Sequence, residues 1–268
     1  MKRTSGARLC STAAIGALSL ALLTGCSSDD GSKDSGKSGG SKGSSSSSSS
    51  SGSDAKARTS AELEKLLLAQ GEIKGYKVAG GDDTLPKSKS AVKTDKAACD
   101  PLAWATGGLA PGDTDANVSN TVSTDKASSS PTSLDDVSEA DIEGAFDIDM
   151  TFVGLSSYDG DGAEKAMKAV SDGVQACAGG YGLKAEGETS KVTKVAAEKG
   201  TGGGDESVAF SEDVDMDGEG TATFHAEVIR EGNTVATFYT VNFAAFADGG
   251  EMGPVPAAVV TAQLGKLK

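Results

Sequence analysis

The chain has 268 residues, a formal net charge of −14 at pH 7 and an aromatic content of only 4%. Such acidity repels phosphate backbones and excludes nucleic acid as a partner. The scarcity of aromatic rings argues against a glycosidase, which stacks sugars on aromatic platforms.

Residues 1–25 carry three positive charges, Lys2, Arg3 and Arg8, and no negative one. An apolar stretch over 9–23 follows and ends in Leu23-Thr24-Gly25-Cys26. A charged tip, a short apolar run and small residues at the cut make an export signal. A membrane span needs about 20 apolar residues, and Ser11, Thr12 and Ser19 interrupt this shorter run. With a cysteine directly after the small residues, the segment resembles a bacterial lipoprotein signal. The resemblance implies that the Cys26 thiol is alkylated with diacylglycerol bearing palmitate-type chains and that cleavage makes Cys26 the N-terminus. Two acyl chains give stable anchoring, here on the outer face of the cytoplasmic membrane. A plain secretory signal, with Cys26 left as a loose thiol, is the alternative.

Loss of residues 1–25 takes the net charge from −14 to −17. Residues 27–57 hold four Asp and four Lys, so the whole −17 sits on residues 58–268. An acidic domain is held away from anionic lipid headgroups. Residues 26–57 read as a lipidated cysteine and a Ser/Gly-rich tether, with eight consecutive serines from Ser44 to Ser51. Such a segment has nothing to bury and is expected to be disordered, with a reach of roughly 30 Å. Gly31 to Ser38 fits G-x-x-x-x-G-K-S, but no strand precedes it and no helix follows, so nucleotide binding is not expected. Cys10 leaves with the signal and Cys26 is lipidated. Cys99 and Cys177 remain, and in an oxidising compartment they are expected to form one disulfide. A metal or redox pair would want a C-x-x-C spacing that is absent.

Order is expected from residue 58 to 268, enough for one domain. Thr59 and Glu62 have capping-box spacing ahead of a helical stripe, Leu63, Leu66 and Leu67, that Gly71 ends. A short strand over 73–78 and a loop over 80–93 follow. A second helix is predicted over 95–106, with Cys99, Leu102 and Trp104; Pro101 belongs in a first turn, so it starts as late as Cys99 or Asp100. A strand is predicted near 117–124. Over 142–155, Ile142, Phe146, Ile148, Met150 and Phe152 share one parity, and Glu143, Asp147, Asp149 and Thr151 the other. That pattern predicts a half-buried antiparallel strand. A helix over 163–178 places Ala163, Ala166, Met167, Val170, Val174 and Cys177 on one face. Strands follow over 188–197, 207–213, 221–231 and 234–245, with turns at Asp217-Gly218 and Gly232-Asn233. Pro256 opens a last helix. Runs of strands with helices set apart predict an α+β fold, a single antiparallel sheet with helices packed on one face, and Cys99–Cys177 would staple the second helix to the third.

Several stretches resemble the extracellular sensor-type domain of PknH-like actinobacterial receptor Ser/Thr kinases, a domain also found in stand-alone lipoproteins. They are Ala61 to Leu68 running into Ile73-Lys74-Gly75-Tyr76, Cys99-Asp100-Pro101-Leu102 and Val174-Gln175-Ala176-Cys177. To these add Gly204 to Phe210 and Val228 to Val235. The resemblance covers about 60–268. It implies a sheet-and-helix domain whose cleft receives an extracellular ligand, with no catalytic residues. Members often have two disulfides, and this chain can form one. The sequence holds no kinase domain, so signalling in cis is not expected.

Candidate sites are few. Asp213-x-Asp215-x-Asp217-Gly218-Glu219 reads like the start of an EF-hand loop, but its twelfth position is Phe224 and its flanks are strands. It is a solvated hairpin end or a weak calcium site. His225, the single histidine, shares parity with Thr223 and Glu227 and is expected at the surface. No Ser-His-Asp triad, His-based zinc site or G-x-S-x-G elbow can be assembled. Trp104, Tyr158 and Tyr181 fall outside the clear core pattern and either pack in the core or line a cleft. The expected function is a non-enzymatic, membrane-anchored ligand-binding or sensor-like domain without a cofactor. Its partners would be the membrane, through the anchor, and a small ligand or cell-envelope protein. A lipid or glycolipid carrier and an envelope hydrolase are the alternatives.

Overall fold

The computed structural model describes residues 56–80, 85–125, 147–185, 187–216, 220–242, 244–245, 250 and 252–268. Cys26, the serine run and the G-K-S decoy lie outside the described residues, as do residues 142–146 of the expected 142–155 strand. Helix α1 (Ser60–Glu64) starts on the expected capping box: the Glu62 N–H donates to the Thr59 hydroxyl and the Thr59 N–H donates to the Glu62 carboxylate. β1 (Tyr76–Gly80) and the short β2 (Val92–Thr94) follow. α2 (Asp100–Thr106) holds Pro101 in its first turn, where no N–H is needed. After β3 (Asn117–Thr124) and β4 (Asp149–Ser157) comes α3 (Gly162–Ala176), which buries the predicted stripe. A meander completes the sheet: β5 (Tyr181–Ala185), β6 (Glu188–Glu198), β7 (Glu206–Asp215), β8 (Thr221–Glu231) and β9 (Thr234–Asn242). α4 (Ala257–Leu267) ends the chain.

The nine described strands form one antiparallel sheet in the order β1-β3-β4-β9-β8-β7-β6-β5-β2. β9 closes the meander against β4, with Val153 opposite Phe238. A bulge falls between Val192 and Lys194 of β6 and bends that part of the sheet. Gly180, at φ +77°, turns the chain from α3 into β5 directly against the bulge; a Cβ there would lie 2.2 Å from the Val192 carbonyl oxygen. The Cys99–Cys177 disulfide is formed, with Cα atoms 5.9 Å apart, and joins the start of α2 to the end of α3.

The α+β single-sheet reading stands, but the placement of the helices is corrected: they cover both faces. α2 and α3 pack on one face with Phe210, Ala226, Val228 and Val235. α1 and α4 pack on the other with Val153, Leu155, Ile229, Ala236 and Phe238. Val228 and Ile229 are neighbours pointing to opposite sides, and both are fully buried. The same cover overturns the half-buried reading of β4, since Thr151, assigned to the polar side, is buried and bonded to Thr240 at 3.0 Å. The second face is fastened by Gln263 of α4, which is fully buried. Its Oε1 accepts from the Leu68 N–H at 3.0 Å and its Nε2 donates to the Leu66 carbonyl at 2.7 Å.

The chain enters this fold beside the β8–β9 turn. Asn233 Nδ2 donates to the Lys56 carbonyl, the Ala57 N–H donates to Asp159, and the Arg58 N–H donates to the Ser157 hydroxyl. Among the described residues no helix is long and apolar enough to cross a membrane.

Candidate functional site

A cavity of about 610 Å³ opens on the α2 side of the sheet, near the β7–β8 end. Leu183 of β5, Val192 of β6, Val214 and Met216 at the end of β7, and Thr106 of α2 supply much of its wall. Its size suits a small molecule. Its distinctive group is Glu212. On β7 this residue shares the inward parity of Phe210 and Val214 and stands opposite Phe224 of β8. It is 4% exposed and lines the cavity. The Tyr181 hydroxyl donates to its Oε1 at 2.6 Å and is its one hydrogen-bond partner among the described residues.

The physical chemistry of that carboxyl is set by its surroundings. Burial pushes Glu212 up to about 7, and the Tyr181 hydrogen bond only partly offsets this. Burial, with the nearby Glu212 charge, pushes the phenols of Tyr181 and Tyr239 well above their ordinary range. Both tyrosines are therefore neutral donors at any physiological pH. Tyr239 stacks on Phe224, with ring centroids 5.5 Å apart, and on Phe152 at 6.4 Å. The cavity thus joins a buried carboxyl to an aromatic floor, a pairing with the chemistry to bind and orient a ligand. A perturbed carboxyl in a cleft is a common mark of a functional site.

Two other hollows differ in kind. One of about 260 Å³ lies on the opposite face, between β7, β8 and the segment 199–201. Glu227, buried at its base, accepts from the N–H groups of Thr201 and Gly202 at 3.0 and 2.8 Å. This carboxylate is consumed in holding a loop. The other, of about 580 Å³, lies between α1 and β3 and is lined by Leu67, Gln70, Val118 and Asn120. The Asn120 side chain already donates to the Leu68 carbonyl there.

No family model and no curated protein sequence matches the chain. Among solved structures it is similar to the extracellular domain of PknH from Mycobacterium tuberculosis. The two share 13% identity over 79% of this chain and 95% of that one, with a TM-score of 0.43. That is the domain type whose sequence features this chain resembles. A likeness this loose does not place the chain in that family, and no function follows from it.

The residues singled out in the sequence are scattered. Tyr181 belongs to the site, as the donor that holds Glu212. Tyr158 is a core residue: buried, it accepts from the Gly112 N–H and the Ser156 hydroxyl, both at 3.1 Å. Trp104 packs on the core under the Lys89 ammonium, 4.4 Å from its ring centroid. His225 is corrected from a surface position: its side chain is 12% exposed, with Nδ1 2.8 Å from Glu198 Oε2. Asp213 accepts from the Thr223 hydroxyl at 2.9 Å and lies 3.7 Å from the Lys194 ammonium. Asp217 is outside the described residues. Among the described residues no three His, Cys, Asp or Glu side chains gather as a metal site. Glu212, Tyr239 and Phe224 escaped the sequence reading. The available signal was a carboxylate at an inward position, between Phe210 and Val214.

Proposed function

We propose that this chain is a lipid-anchored, extracytoplasmic binding protein without catalytic activity, whose cavity above β5–β9 holds a small ligand. The observation that carries the reading is Glu212, a carboxyl buried at the cavity wall with Tyr181 as its one side-chain donor among the described residues. Burying a carboxyl beside hydrocarbon is costly unless something meets it, and a polar ligand group in the cavity would meet this one. The same carboxyl argues against the lipid-carrier alternative, because an acyl chain would leave it unmatched. The anchor rests on Leu23-Thr24-Gly25-Cys26 and the charged, apolar leader before it. The non-catalytic part of the reading rests on the sequence, from which no Ser-His-Asp triad, His-based zinc site or G-x-S-x-G elbow can be assembled.

The test is native mass spectrometry with solvent extraction on the full chain carrying Cys26→Ala, exported and purified without detergent. The expected result is a bound species of defined mass that is lost in Glu212→Leu. A species retained in that variant would remove the cavity from the reading, and a diacyl lipid would put the carrier first. Labelled palmitate should enter the unaltered chain and not Cys26→Ala; equal labelling would remove the anchor.

A further inference from the structure

We infer that the cavity recognises a small organic cation, an ammonium group carried on an apolar body. This inference rests on the binding reading above and adds to it the chemistry of the ligand. Three observations on different parts of the cavity support it. First, the groups among its lining residues that carry charge near neutral pH are the carboxyls of Glu188, Glu212 and Asp215, with no Lys, Arg or His. An anion would meet only like charge there. Second, Phe224 stands directly across from Glu212 in the β7–β8 register and is stacked on Tyr239, which also lines the cavity. A cation held against the carboxylate is thereby placed beside two aromatic rings, whose negative faces attract it. Third, Leu183, Val192, Val214 and Met216 supply apolar surface for a hydrocarbon body.

Other occupants fit less well. A neutral apolar molecule leaves Glu212 without a partner beyond Tyr181. Calcium or magnesium wants six or more oxygens, and no cluster of three metal-binding side chains exists among the described residues. A monovalent organic cation needs one carboxylate and a ring, and both are present.

Titration adds a signature. Glu212 is held near 7 by burial, and a cation pairs with its ionised form. Binding therefore releases a proton, and affinity rises about tenfold between pH 6 and pH 8. Tyr181 of β5 bonds to Glu212 and Tyr239 of β9 lies within reach of its charge, while Glu188 of β6 and Asp215 of β7 line the same cavity. The two tyrosines remain neutral across that window.

The probe is benzyltrimethylammonium, whose charge does not titrate, compared by calorimetry with its neutral isostere neopentylbenzene and with phenylacetate. The protein is the full chain carrying Cys26→Ala. The ammonium is expected to bind at least tenfold tighter than either comparator, more tightly at pH 8 than at pH 6. Glu212→Gln should abolish both the preference and the pH dependence. Cooperative urea unfolding of Glu212→Gln itself, with a midpoint no lower than that of the unaltered protein, shows that the loss is not misfolding. Equal binding of the isostere, tighter binding of phenylacetate, an ammonium affinity untouched by Glu212→Gln, or no binding by any probe would overturn the inference. The binding reading itself survives those results if native mass spectrometry finds a neutral or anionic molecule that leaves in Glu212→Leu, and fails with them if it does not.

Discussion

Replacing Glu212 by Gln should make the ligand-free protein more stable, and increasingly so as the pH rises. The carboxyl is 4% exposed and accepts from the Tyr181 hydroxyl. Its value in the fold is about 7, against an ordinary 4.5. Because the folded value is the higher one, its contribution to stability is complete below about pH 4.5 and is lost as the pH rises through 7. Glutamine stays neutral and can still accept from the Tyr181 hydroxyl. Its NH₂ group brings a cost of its own, but that cost is the same at every pH. The informative quantity is therefore the change in the wild-type-to-variant difference between pH 5 and pH 8, about 2.5 kcal/mol in favour of the variant. Urea unfolding at the two pH values measures it, and thermal melts should show a relative shift of roughly 5–10 °C. Subtracting the variant removes the pH dependence of every other acidic residue. A difference that stays flat to within about 0.5 kcal/mol would refute the idea that this carboxyl is desolvated in the fold.

Three further outcomes are expected. Cys99→Ser with Cys177→Ser opens a 78-residue separation and should lower stability by at most about 4–5 kcal/mol, read as a drop in the urea midpoint; an unchanged midpoint contradicts the stapling role. Gly180→Ala forces a side chain into φ +77° and against the Val192 carbonyl. It should cost at least about 2 kcal/mol, whereas a neutral result would show that the β6 bulge yields freely. Glu227→Ala removes the acceptor for the Thr201 and Gly202 N–H groups and should cost about 1–3 kcal/mol. Faster amide exchange is expected at those two residues, and protection unchanged at both would disprove the anchoring role.

Much of the fold was legible because alternation and capping are local. The Thr59–Glu62 box, the α3 stripe and the strands β6 to β9 follow from neighbours within a few residues. Alternation reports which side chains share a face; it does not report what covers that face. Thr151, His225 and Glu227 therefore read as solvent-facing, although each is shielded and partnered by residues far away in sequence. Thr151 meets Thr240, His225 meets Glu198, and Glu227 holds Thr201 and Gly202. β2 has only three residues and β5 only five, around Gly182, too short for a periodic signal. The site was half legible. Glu212 breaks the inward pattern of β7 in plain view, but its meaning depends on Tyr181 and Tyr239, which only pairing across five strands brings together.

The fastening of Lys56, Ala57 and Arg58 beside the β8–β9 turn fixes an orientation. From Glu231, next to that turn, β8 runs back seven residues to Phe224 at the cavity, roughly 25 Å. A load arriving from the N-terminal side is thus received at one end of the central strands, and the hollow lies toward the other.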